Sequence, residues 1–270
     1  MNNIAKFSIL LYCIVAFSHS APAQNASPRN TGYPITGGEL KTSLDDIQKL
    51  LDQGSFLEAK KRYETLIQYD LSEEDHERIQ KALEDINIKI LFSPILTEDS
   101  FSYTVEKGDS LFKIAKKHNT TSELLQRSNQ LPSDQIRIGM KLKVSKAVYS
   151  ITVDKSENRL KLLSDGAVLK VYPVATGKNS STPVGIFKIV NKLVDPVWYK
   201  AGAVFPADSP DNILGSRWLG FDLESYGIHG TTLPETIGTS ASEGCVRMFN
   251  HDVEELYSIV PVNAMVTVTE

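Results

Sequence analysis

Two short segments carry side chains that could do covalent chemistry. Ser242-Glu-Gly-Cys-Val-Arg-Met248 sets a thiol, Cys245, in a glycine-flanked loop, and Tyr226-Gly-Ile-His-Gly-Thr231 sets an imidazole, His229, beside another glycine. A thiol of pKa ~8.5 is mostly protonated at neutral pH and becomes a strong nucleophile once an imidazole takes its proton. Gly244 lets backbone approach closely, so the amides around Cys245 are candidates to hold the oxyanion of an acyl intermediate. Arg247 adds a guanidinium suited to a substrate carboxylate. Residue types alone leave two readings open: a nucleophile with its base, or a structural thiol and a satisfied histidine. Zinc is the weaker reading, since the nearest further donor in sequence, His251, falls at a predicted helix start; neither metal nor cofactor is expected.

The cysteine count bears on that choice. The chain has 270 residues and two cysteines, Cys13 and Cys245. A positive start ending at Lys6, an apolar run from Phe7 to Phe17 and the small-x-small site Ala21-Pro22-Ala23 together predict a signal peptide over residues 1–23. The run is short for a ~30 Å hydrocarbon core, so an uncleaved anchor is the lesser alternative. Lipidation at Cys13 is disfavoured by bulky Tyr12 and the mid-run position. Exported proteins meet an oxidising environment in which cysteines are normally paired. Loss of the leader would leave Cys245 alone, either inertly buried or kept for its chemistry.

Composition narrows the class further. With 41% hydrophobic and 23% charged residues, Gly 16, Pro 12 and two cysteines, the composition argues against disorder, collagen-like repeats and a disulfide scaffold. A net charge of −4 is too mild to argue for a nucleic-acid partner.

The elements that must position the two segments follow from periodicity. Residues 24–38 lack it and read as a linker. Residues 39–92 carry apolar side chains at helical spacing (Leu40, Leu44, Ile47, Leu51; Phe56, Ala59, Tyr63, Leu66; Ile79, Leu83, Ile86, Ile90), broken at Gly54. Ser43 with Asp46 and Ser72 with Asp75 read as capping boxes opening the first and third of these helices. The block resembles a tetratricopeptide-type pair only in outline. A structural role is expected for it, with spacer or docking as the alternative. Residues 101–146 run strand, helix, helix, strand: Phe101–Val105, a helix capped by the Gly108-Asp-Ser110 turn over Leu111–His118, a second opened by Thr120 with Glu123, and Lys141–Ser145. From Ala147 onward β-rich runs dominate, at 150–154, 159–163, 168–172, 186–190 and 265–268, with one helix over His251–Ile259 capped by Asn250. The expected fold is multidomain α+β: a helical N-terminal region, a small βααβ module, and a mostly-β, mainly antiparallel sandwich or barrel-like sheet. Trp198, Tyr199, Trp218 and Phe221 can wall a groove or pack in the core, Arg217 can join the site or form a structural salt bridge, and His76 and His118 are expected to be solvated.

Two families share these patterns. Tyr103-Thr-Val-Glu-Lys-Gly-Asp-Ser-Leu111, Ile114-Ala115, Leu124, Asn129, Ile138-Gly139 and Leu142 resemble a LysM module over its whole length. That resemblance implies binding of N-acetylglucosamine-containing glycan, with contacts expected at Gly108, Asp109, Ser110, Asn129 and Leu131. Thr176-Gly177, Thr182-Pro-Val-Gly-Ile-Phe187, Pro196-Val-Trp-Tyr199, Leu214-Gly-Ser-Arg217, Ile228-His-Gly-Thr231, Ile237-Gly238 and Ser242-x-Gly-Cys-Val-Arg-Met248 resemble the YkuD-type L,D-transpeptidase catalytic domain over residues 148–270. Many members carry His where this chain has Glu243, leaving His229 as the only motif histidine available as the base. The resemblance implies an exported enzyme of the bacterial periplasm or cell wall whose partner is peptidoglycan, both stem peptides and glycan strands. In it Cys245 attacks the third residue of a stem tetrapeptide and expels the terminal D-alanine. His229 is the base, the Gly230 carbonyl orients it, Gly244 and Cys245 amides hold the oxyanion, and Ser242 and Arg247 shape the donor site. An amine on a second stem then gives a 3–3 cross-link; a hydrolase, or a wall binder without catalysis, are the rivals. The same chemistry implies acylation by carbapenem-type β-lactams. The glycan module is expected to raise the local concentration of stems as a tether does.

Overall fold

The computed structural model describes residues 32–200 and 202–270. The expected signal peptide and residues 24–31 of the expected linker lie outside the described residues. No helix among the described residues is long and apolar enough to cross a membrane.

Three helices open the described chain: α1 Gly37–Asp52, α2 Phe56–Leu66 and α3 Glu73–Leu91. Helix α1 starts six residues before the expected Ser43 box. Thr36 accepts from the Glu39 amide, and the Glu39 carboxylate accepts from the Thr36 amide, a reciprocal cap that the following Gly37-Gly38 pair hid in the sequence. Helix α3 begins as expected, with Ser72 Oγ accepting from the Asp75 amide. Leu40, Ile47, Ala59, Tyr63, Leu66, Ile79, Ile86 and Ile90 close one core.

The second unit has the expected order, with β1 Ser100–Thr104, α4 Leu111–Lys117, α5 Ser122–Ser128 and β2 Lys141–Ser145. Ser110 caps α4, while α5 is capped by Thr121 rather than Thr120. His118, expected in solvent, instead sits edge-on to the rings of Phe101 and Tyr103 at 5.1 and 5.6 Å.

The remaining strands in chain order are β3 Tyr149–Asp154, β4 Arg159–Ser164, β5 Ala167–Pro173, β6 Thr176–Gly177, β7 Gly185–Val194, β8 Trp198–Lys200, β9 Ala203–Phe205, β10 Arg217–Phe221, β11 Gly227–His229, β12 Ser240–Ser242, β13 Val246–Arg247 and β14 Met265–Thr269, with helix α6, Asn250–Ile259, before the last. Eight form one curled sheet in the order β13-β11-β10-β7-β14-β3-β4-β5. Its pairs are antiparallel except β14 with β3 and β11 with β13. Alternation in β3 turns Tyr149, Ile151 and Val153 inward, where they meet Leu160, Leu162, Val266, Val268 and the apolar face of α6.

The units share surfaces. Ile88 and Leu91 of α3 and Leu124 of α5 are buried in the core of the large sheet. Lys143 of β2 is buried and donates from Nζ to the Ile90 and Ser93 carbonyls at 2.9 and 3.0 Å, so a cation neutralises the C-terminal end of α3. Burial pushes that ammonium's pKa down to about 8, with Asp99 pulling the other way. Thr121 Oγ1 donates to the Ser258 carbonyl, and Arg127 Nη1 donates to Ser258 Oγ at 2.8 Å. Only residues 146–148 separate β2 from β3.

Strand β5 is a sheet edge, and α3 covers it. The Val171 amide donates to Glu84 Oε2, and Asn87 Nδ2 donates to the Leu169 carbonyl, each at 3.3 Å. Side chains of a helix thus occupy ladder positions that another strand would fill, which is how an edge is protected from pairing with other chains. The double replacement Glu84→Ala with Asn87→Ala is expected to cost about 2 kcal/mol in urea unfolding, since β5 is left with unpaired backbone groups. Light scattering should show increased self-association at high concentration.

Candidate active site

The site is assembled by strand register. Strand β11 lies between β10 and β13, with His229 opposite Trp218 on one side and Arg247 on the other. Cys245 immediately precedes β13, so the parallel pairing that aligns Ile228 with Val246 draws the thiol loop against the start of β11. The two distant motifs thereby face one cavity of about 570 Å³, lined by Cys245, His229, Ser242 and Arg247. Trp198, Tyr199 and Trp218 wall it, whereas Phe221 is buried in the core and stacks on Phe187 at 5.3 Å. Arg217 stays outside: its Nη1 donates to the Ser216 carbonyl at 2.6 Å and lies 3.9 Å from Asp195.

The thiol loop is held from below. Gly177 packs so closely that an added Cβ would lie 2.2 Å from Ser181 Oγ and 3.0 Å from the Gly244 Cα. Its amide donates to buried Thr182 Oγ1 at 2.7 Å, which ties the Gly of the Thr-Gly segment to the Thr that opens Thr-Pro-Val-Gly. Gly244 has φ of 135° and faces Tyr226, whose ring carbon would lie 2.9 Å from a Cβ. Ser242 Oγ donates to the Cys245 carbonyl at 2.6 Å and accepts from the Gly244 amide at 3.1 Å. The Gly244 amide, expected to face an oxyanion, is therefore engaged by Ser242 in this state.

His229 is 2% exposed, and its Nδ1 lies 2.6 Å from the Gly230 carbonyl. A carbonyl can only accept, so Nδ1 carries the proton and Nε2 is the basic nitrogen. Burial pushes the imidazole pKa down to about 4; the Arg247 charge acts in the same direction, while the Gly230 and Leu214 carbonyls oppose it. Trp218 stacks on the ring, centroids 6.0 Å apart.

Cys245 is a free, half-buried thiol that donates to the Ser225 carbonyl at 3.4 Å. Burial pushes its pKa up; a backbone contact at Gly227 and the Arg247 charge pull it down, and Glu243 pushes it up. Arg247 is 5% exposed and its Nε has no hydrogen-bond partner among the described residues. At the rim, Lys200 of the β8–β9 hairpin pairs with Glu243 at 2.9 Å, a contact between remote segments that local sequence does not announce.

In the smaller module, Asp109 accepts from Tyr103 Oη and from the Glu106 amide at 2.9 and 2.8 Å. Ser110 is the α4 cap, Lys113 Nζ takes the Gly108 carbonyl at 2.7 Å, and Gln126 takes the Leu131 carbonyl. The Asn129 side chain is committed internally, to the amide and carbonyl of Lys143 and the Leu125 carbonyl. The Asn129 side chain is therefore taken, while Gln130 beside it is exposed and Leu131 partly so.

The depressed imidazole pKa has a consequence for stability. An unfolded histidine titrates near 6.5, so between pH 6.5 and 4 the unfolded chain binds a proton that folded His229 refuses. Stability from this group is present above pH 6.5 and is lost as pH falls through that window, in all roughly 3 kcal/mol. Urea unfolding at pH 7 and 4.5 is expected to show about 2 kcal/mol more loss in the wild type than in His229→Gln.

A family model for the L,D-transpeptidase catalytic domain matches residues 148–268, and one for the LysM domain matches residues 103–145. YqjB of Bacillus subtilis, named as an L,D-transpeptidase, is 40% identical over 126 residues, covering 44% of this chain and 70% of that protein. YkuD of Bacillus licheniformis, named likewise, is 36% identical over 175 residues, covering 62% of this chain and 98% of that one. The crystal structure of L,D-transpeptidase 3 from Mycobacterium tuberculosis superposes with a TM-score of 0.40 at 18% identity, covering 49% of this chain and 66% of the other. The chain belongs to the L,D-transpeptidase family. Within it, this is a member whose YkuD-type catalytic domain is preceded by a LysM domain.

Proposed function

We propose that the protein is an exported peptidoglycan L,D-transpeptidase that works through a Cys245 thioester. The observation that carries this reading is the junction of three groups in one cavity: a free thiol, a buried imidazole whose proton is fixed on Nδ1, and a buried guanidinium with an unpartnered N–H. Such a guanidinium matches the carboxylate of a peptide that ends in the donor site. Cys245 Sγ releases the Ser225 carbonyl, passes its proton to His229 Nε2 and attacks the carbonyl carbon of the third stem residue. The oxyanion is held by the Cys245 amide, joined by the Gly244 amide once Ser242 lets it go. The C–N bond to the terminal D-alanine breaks, and the leaving amine takes the proton from His229. An amine of a second stem then attacks the thioester, His229 receives its proton, and the thiolate departs and is reprotonated, leaving a 3–3 cross-link. The LysM unit would hold the glycan strand while this occurs.

The test is mass spectrometry of the purified protein with a carbapenem and with stem tetrapeptides. A stable adduct on Cys245 and cross-linked dimers are expected. No adduct would overturn the nucleophile. An adduct accompanied only by tripeptides would make the protein a hydrolase.

A further inference from the structure

We propose that Asn250 is a positioning residue of the active site, holding the peptide unit whose carbonyl orients His229. The sequence placed Asn250 as the cap of α6. In the structure the N-cap is Phe249, and the Asn250 side chain turns away from its own helix. Its Oδ1 accepts from the Thr231 amide at 3.0 Å and from the Ser216 amide at 3.2 Å, and its Nδ2 donates to the Thr231 carbonyl at 3.0 Å.

The Thr231 N–H and the Gly230 C=O belong to one planar trans peptide unit, so they point in opposite directions. Asn250 grips the N–H end, and His229 Nδ1 meets the C=O end at 2.6 Å. A rotation of that unit would break both bonds together. Fixing its N–H therefore fixes the direction from which the imidazole receives an acceptor, and with it which ring nitrogen carries the proton. Glycine is demanded on both sides of the clamp: a Cβ on Gly230 would lie 2.1 Å from Asn250 Oδ1, and one on Gly215 would lie 2.2 Å from it. The amide side chain thus meets both the Gly after His229 and the Gly of Leu214-Gly-Ser-Arg217, where the backbone at Thr231, 2.4 Å from an added Cβ, and a φ of 64° also require glycine.

The proposal rests on the reading of His229 as the base, and its test separates the two. Asn250→Ala removes the clamp. Asn250→Asp keeps the oxygen that accepts from the Thr231 and Ser216 amides but loses the donor to the Thr231 carbonyl, so it isolates the N–H half of the clamp. The tautomer of His229 is read by 15N NMR of the full chain at pH 7, and acylation by a carbapenem is followed in parallel across pH. The wild type should show a protonated Nδ1. Asn250→Ala should shift population toward protonated Nε2 and slow acylation roughly 10–100-fold, the scale of a misplaced catalytic group. Asn250→Asp, which still accepts from the Thr231 amide, should keep the wild-type tautomer and acylate at a rate between those of Asn250→Ala and the wild type. An Asn250→Ala spectrum identical to wild type would overturn the proposal; should that variant not fold, loss of the Nδ1 tautomer in Asn250→Asp would overturn it equally. If His229→Gln acylates as fast as wild type, the base assignment fails, while the tautomer still decides the clamp.

Discussion

Cys245→Ala is expected to form no covalent adduct with a carbapenem and to release no D-alanine from stem tetrapeptides, while unfolding in urea within about 1 kcal/mol of the wild type. The chemical part follows from the thiol being the best nucleophile and leaving group among the side chains that line the cavity. Of the hydroxyls that line the cavity, Ser242 is spent on the Cys245 carbonyl and the Gly244 amide. The stability part follows from what the thiol touches. It makes a 3.4 Å contact to the Ser225 carbonyl and a backbone contact at Gly227, and the side chain is half-buried. Removing a weakly bonded atom beside an existing cavity leaves little new void. Intact-mass and D-alanine assays, with an unfolding curve on the same sample, check both halves.

His229→Gln is expected to lower kcat/KM for acylation by about 10²–10⁴, the usual worth of a positioned base. The pH profile should change shape as well as height. Burial keeps the wild-type imidazole unprotonated down to about pH 4, so its acidic limb falls only below pH 5. The imidazole is thus unprotonated at neutral and mildly acidic pH, and Arg247 beside it reinforces that state. Without His229 the thiol must ionise unaided. Burial pushes its pKa up, so the variant's rate should climb with pH on the alkaline side, where the wild type is flat. Stopped-flow or mass-resolved acylation between pH 4 and 10 distinguishes the two curves; a variant with the wild-type profile would remove His229 from the reaction.

Much of this site could be read from the chain because its chemistry is written in short contiguous runs. Ser242 to Met248 and Ile228 to Thr231 each fix a backbone shape with glycines, and the parallel register of β11 and β13 simply lays one beside the other. Caps made within four residues, at Ser72 and Ser110, were equally readable. What escaped depends on partners far apart in sequence. Asn250 looked like a cap because an Asn before an apolar helix usually is one; its partners, Ser216 and Thr231, lie 34 and 19 residues upstream. The Trp218 stack on His229 exists because β10 runs antiparallel to β11, which no local pattern states. The docking of α3 on β5 was hidden for the same reason. A helix with two apolar faces, one for its own bundle through Ile79 and Ile86 and one for the sheet through Ile88 and Leu91, gives a single blurred periodicity.

The joint between the LysM unit and the catalytic sheet has a geometric consequence. A three-residue connection, a shared Leu124 and the bonds to Ser258 pack the two units directly together, unlike a flexible tether, whose effective concentration is set by length. If the LysM unit grips glycan as proposed, packed this way it would hold grip and thiol at a set offset and angle, like the jaws of a fixed-gauge tool. Stems project from a polysaccharide at angles set by its helical repeat, so a strand held this way would offer Cys245 only those stems whose distance and azimuth match the gauge. Cross-links would be spaced by the enzyme's own dimensions rather than by chance encounter.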